Sequence, residues 1–480
     1  MISTVALMLI LPGCQGTAPE LRTQEIGLEV PHHWSSNVNS NKGIDQQWID
    51  RFRDTTLTAL AKEALGNNPD LRAAESRVRL AASAAQAAGS AAKPQLSNYI
   101  SGNRRKSNFI GFPDFGGGFG AGGGSEQIIS TISDTFGVSL DLSWELDVWG
   151  RLREGQSGTV ADLQSAKADL RAAQSSLIAQ VAKAWFALTE ATQQVRLGEE
   201  TVQTFKDTEE VIGDRFEIGG ADSGGTGAQL RLAKSDVASA REQLVLRQDQ
   251  QQRAKRQLEI LLGRYPKGEL AQSPTFPALP SAPPTGLPSE LLLRRPDIQS
   301  AERRFAAEGK RAREARLARF PQLKLTASAG TSTEALEDIL NSDFGVWNLA
   351  GSVVQPILNG GRLREQEVIT REQERQALAS LQKTVLQAFL EVELALKADG
   401  YLSQRETAVT EAATLAKEAD TAARADYRDG VGDILTVLSA QSRALQFSSQ
   451  ILSLRRLRLD NRINLHLALG GDFKASPPSS

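Results

Sequence analysis

Phe136-Gly137-Val138-Ser139-Leu140-Asp141-Leu142-Ser143-Trp144-Glu145-Leu146-Asp147-Val148 alternates apolar and polar side chains without a break. A period of two puts every second residue on the same face of a β-strand, and no α-helix produces it. One face then carries Phe136, Val138, Leu140, Leu142, Trp144, Leu146 and Val148, while the other is polar or acidic. Lipid on one side and water on the other would demand this division. A soluble β-sandwich with one buried face is the competing reading of the strand taken alone.

Working outward, a weaker alternation marks Trp347, Leu349, Gly351 and Val353 within a strand at about 346–354. Partner strands are expected at about Gln95–Arg104 and Gln322–Gly330, which alternate less regularly. Between the first two strands, Gly111 to Ser125 is dominated by glycine, with Phe112, Phe115 and Phe119 among them. Gly118, Gly120 and Gly123 formally make a GxGxxG, but neither a strand–loop–helix context nor a P-loop lysine accompanies them, so a flexible loop is the better reading. Glu145 and Asp147 would stand about 7 Å apart on the polar face. That separation suits an inverting glycosidase, but without a cleft around them they read as lumen lining.

The rest of the pattern is helical. Val181, Ala184, Leu188, Ala191 and Val195 recur at alternating spacings of four and three, as do Leu230, Ala233, Val237, Ala240 and Leu244. Leu378, Leu381, Val385, Ala388, Val392 and Ala395 continue the theme, and Leu438, Leu445, Leu452 and Leu459 form a heptad. This is coiled-coil spacing. Gly219–Gly227 and Asp429–Asp433 interrupt it, so each long helix is expected to turn there into an antiparallel partner.

The whole arrangement occurs twice. Asn68-Pro69-Asp70-Leu71 recurs as Arg295-Pro296-Asp297-Ile298, and Pro94-Gln95-Leu96 recurs at the same offset as Pro321-Gln322-Leu323. Gly150-Arg151-Leu152-Arg153-Glu154 recurs as Gly361-Arg362-Leu363-Arg364-Glu365, an offset that also pairs Phe216 with Tyr427 and Gly219 with Gly430. Leu258, Leu262 and Gly263 match Leu465, Leu469 and Gly470. Three collinear blocks of this kind indicate a tandem duplication.

Composition sets the outer bounds. The chain has 480 residues, 40% hydrophobic, with 55 basic and 57 acidic side chains. It can therefore bury a core, and it lacks the basic excess that nucleic-acid binding favours. After the N-terminus no apolar run is long enough for a transmembrane helix, so any membrane crossing must use a closed barrel. The single cysteine, Cys14, excludes internal disulfides. Leu11-Pro12-Gly13-Cys14 follows a short apolar run and resembles a bacterial lipoprotein box, which predicts a signal peptide over 1–13 and lipidation at Cys14. Met1 to Ile10 lacks the basic residues usual in such a signal. Three histidines, His32, His33 and His466, do not make a metal site, and no nucleophile–base arrangement stands out. Neither a cofactor, a metal nor an enzyme activity is expected.

Each half thus reads helix, strand, loop, strand, long helix, tip, long helix. The predicted segments are a lipidated stretch over 14–50, a first repeat over 51–273 with its helical hairpin at 150–264, and a Pro-rich connector over 274–288. A second repeat follows over 289–471, with its hairpin at 362–470, and then a flexible tail over 472–480. The fold class is mainly α with a small β part. Four strands cannot close a barrel, and exposed edges are not tolerated in lipid. Two chains would give eight strands and no lumen, whereas three give twelve and an open pore.

In architecture and motifs the chain resembles the TolC-like outer-membrane factors, lipoprotein branch, which serve resistance-nodulation-division (RND) efflux pumps. The resemblance is carried by Cys14, Asn68 to Leu71, Trp144 to Arg151, Leu291 to Asp297, Phe320-Pro321, Gln355 to Ile357, Gly360 to Arg362, and Tyr427 with Gly430-Val431. It implies a homotrimer forming a twelve-stranded β-barrel in the outer membrane and a twelve-helix α-barrel in the periplasm. A periplasmic adaptor (membrane fusion) protein and an inner-membrane pump of the RND type would be the partners. By the same resemblance the periplasmic gate would involve Asp426, Tyr427, Arg428, Asp429 and Asp433. Adaptor contacts would fall at Gly219, Gly220, Ala221, Gly430, Val431 and Gly432. For those tip residues the plain alternative is an ordinary helix end, with glycine in the left-handed region and Asp433 capping the next helix. Two other functions stay open: a duct for type I protein secretion, and a lipid-anchored coiled-coil structural protein.

Overall fold

In the computed structural model of the chain, the described residues are 27–28, 31, 33–35, 48–109, 129–219, 226–271, 273, 275–285 and 288–471. Cys14 and the signal segment, His32, the glycine-rich run at 111–125, Gly220, Ala221 and the tail lie outside them. The elements in chain order are α1 (Thr55–Asn67), α2 (Pro69–Ser90), β1 (Gln95–Phe109), β2 (Ile129–Leu146), α3 (Arg151–Gly219) and α4 (Gly227–Leu261). The second half supplies α5 (Pro288–Arg294), α6 (Pro296–Leu317), β3 (Gln322–Thr333), β4 (Gly345–Val354), α7 (Arg362–Arg428) and α8 (Ile434–Ala468). The protein is thus mainly helical with one four-stranded antiparallel sheet. Helix α3 has 69 residues and α7 has 67; neither contains proline, and each rises roughly 100 Å at about 1.5 Å per residue. Among the described residues no helix is long and apolar enough to cross a membrane.

The repeat recurs in the backbone. Gly150 and Gly361, equivalent positions before α3 and α7, have φ of +80° and +84°. Gly263 and Gly470, equivalent positions after α4 and α8, have φ of +73° and +75°. Only a residue without Cβ takes up that conformation freely. Side chains at equivalent positions also reach equivalent carbonyls. Asn68 Nδ2 donates to Leu261 O at 2.9 Å, and Arg295 Nη1 donates to Ala468 O at 3.1 Å. Each closes a helix C-terminus whose last carbonyls would otherwise lack partners.

The chain divides into two compact units. One comprises Met1–Ala74, Ala168–Glu302 and Leu378–Ser480. Its core gathers Trp48, Ile49, Phe52, Leu57, Ile178, Val181, Trp185, Phe186, Leu258, Leu262, Leu459 and Ile463. Asp54 ties this core together: one carboxylate oxygen caps α1 at Leu57 N, 3.0 Å, and the other accepts from Trp185 Nε1, 2.8 Å. Along α7, Leu381, Val385, Ala388, Val392 and Ala395 are all buried, as the heptad reading requires. Of the α8 heptad, Leu438 and Leu459 are buried, while Leu445 and Leu452 are half-buried.

The other unit comprises Glu75–Lys167 and Arg303–Ala377 and contains the sheet, in order β1-β2-β3-β4. Lys310 pairs with Glu154 at 3.0 Å, Arg311 pairs with Asp162, and Arg319 pairs with Glu367 at 2.8 Å. Hydrogen bonds from Arg319, with Arg371 close by, hold the Glu367 carboxyl below the usual range. Three strands outrun their expected lengths. β1 continues past Arg104 to Phe109, β2 begins at Ile129 rather than Phe136, and β3 reaches Thr333. Ladder hydrogen bonds come from the backbone, so a strand persists where its apolar alternation stops. Gly330 marks a close approach in this ladder, because a Cβ there would meet Val138 O at 2.0 Å.

Candidate channel wall and hairpin tips

Residues directly opposite in an antiparallel ladder share a face, so the register defines both sides of the sheet. Leu96, Ile100, Phe136, Val138, Leu140, Leu142, Trp144 and Leu146 fall on the same face as Leu323, Leu325, Ala327, Ala329, Trp347, Leu349 and Val353. From Phe136 to Leu146 this band runs about 33 Å along the strand, or roughly 25 Å when tilted as in membrane barrels. Trp347 stands 81% exposed and Leu349 71%. An exposed apolar band of this extent, interrupted on β1 by Asn98, marks an interaction site. The opposite face presents Ser97, Tyr99, Ser101, Ser139, Asp141, Ser143, Glu145, Lys324, Thr326 and Ser328. β1 and β4 are the sheet's two free edges.

Two expectations at the helix-side rim need correction. Val148 does not belong to the strand, which ends at Leu146; the Val148 N–H turns back to Leu146 O at 2.9 Å. Asp147 does not line a lumen either. Its carboxylate accepts from Leu152 N at 3.0 Å and Arg153 N at 2.9 Å, capping α3. A negative charge suits that position because the first helical N–H groups have no partners of their own. Glu145 stays on the polar face and accepts from Arg151 Nη2 at 2.8 Å. At the same rim Trp149 and Phe320 pack with centroids 5.5 Å apart, and Trp149 Nε1 donates to Pro321 O at 2.8 Å. Aromatic rings with a satisfied polar edge suit a membrane–water boundary.

At the far end of the long hairpins, α7 finishes in a Schellman arrangement. Gly430 N bonds Tyr427 O at 3.1 Å, Val431 N bonds Asp426 O at 3.0 Å, and Gly430 has φ +83°. The predicted αL glycine is therefore present. The predicted cap is not: Asp433 precedes α8, but its side chain accepts no capping hydrogen bond. Tyr427 turns inward with Ile212, Ala233, Ala423, Ile434, Val437 and Leu438. The Arg215 guanidinium lies 4.2 Å from the Tyr427 ring centroid and donates to the carbonyls of Tyr427 and Arg428. The Tyr427 hydroxyl is buried without a hydrogen-bond partner among the described residues. Asp426, Arg428, Asp429, Val431 and Asp433 are exposed, and Gly432 packs against Asp426 and Tyr427. Gly219 ends α3.

Sequence reasoning missed Arg215, whose repeat equivalent is Asp426. It also missed a layer of ion pairs on α8. Arg456 pairs with Glu190 and, at 2.6 Å, with Asp460; Arg462 pairs with Asp399 at 3.0 Å; Arg458 bonds Glu406 at 2.5 Å. Burial raises the Asp460 carboxyl and lowers the Arg462 guanidinium from their ordinary values. Four arginines within Arg455–Arg462 were the available signal.

A lipid-compatible sheet with open edges, joined to long helical hairpins, defines a class of outer-membrane channels. The outer membrane efflux protein model matches residues 60–264 and 287–471, and the chain belongs to that family. It is 28% identical over 485 residues to the pyoverdine export outer membrane protein OpmQ of Pseudomonas putida, covering 98% of this chain and 97% of that one. It is 28% identical over 469 residues to the cation efflux system protein CusC of Escherichia coli, covering 96% and 97%. The solved structure of the outer-membrane channel OprN superposes with a TM-score of 0.81 at 25% identity, covering 95% of this chain and 99% of that chain. The protein is an outer-membrane efflux duct.

Proposed function

We propose that the chain serves a tripartite pump, passing small molecules from a periplasmic adaptor and an inner-membrane pump of RND type to the outside. Three copies join edge to edge into a twelve-stranded barrel, and their twelve long helices continue it as a periplasmic tunnel. The duct conducts and performs no chemical step. The observation that carries this reading is the pair of free edges, β1 and β4, flanking an exposed apolar face. Hydrocarbon tolerates no unpaired backbone edge, so sister copies must supply the missing strands.

The remaining assignments follow from position. Cys14 carries the lipid anchor. Ser35 N and Oγ bond the Glu393 carboxylate at 2.7 and 2.6 Å, and Gly27 lies beside Gln382. The gate is the second tip, where Asp426, Arg428, Asp429 and Asp433 surround the inward Tyr427; exposed carboxylates from three copies there favour cations. Gly219, Gly220, Ala221, Gly430, Val431 and Gly432 meet the adaptor, and the 81% exposure of Val431 supports this.

The test is electrical. Detergent-extracted protein of trimer size should give stable single-channel conductance in a planar bilayer; a monomer soluble without detergent and without conductance would reject the reading. Mass spectrometry of the mature N-terminus should find an acylated Cys14.

A further inference from the structure

At the rim away from the helices β1 carries a run of cations, and the segment between β3 and β4 carries a run of carboxylates. On β1, Arg104, Arg105 and Lys106 follow directly after the apolar band. On β2 the only neighbouring carboxylate is Asp134, 3.5 Å from Arg104. The segment between β3 and β4 carries Glu334, Glu337, Asp338 and Asp343 and neither lysine nor arginine. Among the described residues, none of these four carboxylates pairs with a cation of its own chain, and neither Arg105 nor Lys106 pairs with an anion.

The strands differ in reach as well. β1 has 15 residues and β4 has 10. Across the ladder Gly345, the outer end of β4, stands level with Ile100 of β1, so β1 runs on past β4 at the rim away from the helices. When the β1 edge of one copy closes against the β4 edge of the next, the end of β1 therefore has no strand beside it. It faces the acidic segment that joins β3 to β4. Register alternation places Arg104 and Lys106 on the apolar-band side and Arg105 on the polar side, so cations flank that segment on both sides.

We propose that Arg104, Arg105 and Lys106 of one copy pair with Glu337, Asp338 and Asp343 of the next, forming an electrostatic clasp at the outer rim of the barrel. This rests on the closed-trimer reading and adds the chemistry that selects its closure. Joining two β1 edges or two β4 edges would oppose like charges, whereas joining β1 to β4 matches them. The pairs are exposed, so salt screens them.

Heat-dissociation of the detergent-solubilised trimer, followed by gel mobility, tests the clasp. Arg104→Glu with Arg105→Glu and Lys106→Glu should lower the dissociation temperature by several degrees. Glu337→Lys with Asp338→Lys and Asp343→Lys should do the same. Combining both sets should restore most of the loss, and high salt should shrink every difference. Losses that simply add in the combined variant would overturn the clasp. So would a cation-reversed trimer of unchanged heat resistance that loses only its binding to phosphatidylcholine vesicles containing phosphatidylglycerol, since the run would then be a lipid-headgroup contact. Conductance in neutral bilayers separates the two levels. A wild-type trimer that conducts, without rescue in the combined variant, sinks the clasp alone; a wild type that neither trimerises nor conducts sinks the duct reading with it.

Discussion

At the first hairpin tip Phe216 leaves 44% of its surface exposed, whereas at the second its repeat equivalent, Tyr427, leaves 5%. What differs is which side chain turns inward and which hairpin supplies its support. Arg215, on the first hairpin, stacks on Tyr427 and bonds two carbonyls at the end of α7. Its equivalent, Asp426, is exposed. Duplication thus reassigned the chemistry: the first hairpin holds the second tip. A motion that frees the second tip has to break this contact first.

Removing the two rings in turn tests this asymmetry. Tyr427→Ala deletes a buried ring and should favour opening of the second tip by about 3–5 kcal/mol, seen as a raised open probability in planar bilayers. Phe216→Ala should shift the same measurement by about 1 kcal/mol or less; equal effects would erase the asymmetry. Removing the support comes next. Arg215→Ala loses a cation–π contact and two carbonyl hydrogen bonds, worth about 1–3 kcal/mol, and should speed amide exchange at Gly430 and Val431. Arg215→Lys should recover only part, because an ammonium lacks the planar fork.

Backbone and caps give smaller effects. Gly430→Ala places a Cβ at φ +83° and should cost about 1–2 kcal/mol by thermal unfolding. Thr226 and Asp433 sharpen the comparison at the least cost. Thr226 forms a reciprocal capping box with Gln229, whereas Asp433 makes no side-chain cap. Thr226→Ala should cost about 1 kcal/mol and Asp433→Ala only a few tenths of that, with hydrogen exchange at Gln229 and Val437 as the separate readouts.

Much of the fold was legible because it depends on periodicity. The alternation through Phe136–Leu146, the heptads of α3 and α7, and the duplicated glycines each report a local geometry that one residue type or spacing favours. What escaped the sequence depends on where elements end and what they meet. Val148 and Asp147 continue the strand's parity by residue type, but the chain leaves the sheet at Leu146 and Asp147 serves the next helix. Residues 103–109 and 129–135 pair as strand although their side chains do not alternate, since the ladder is built from backbone. Asp433 has the residue type of a cap without making the bond. Arg215 and the α8 arginines act on residues far along the chain, and spacing carries no record of such partners.

The two faces of β2 should meet different solvents, and neighbouring residues on that strand report on each. A single fluorophore attached through cysteine at Leu140 or at Asp141 should respond oppositely in reconstituted trimers. At Leu140 a lipid-borne quencher should act and an aqueous one should not; at Asp141 the order should reverse. Equal quenching of both positions from water would mean that the strand has no lipid face and the chain no wall.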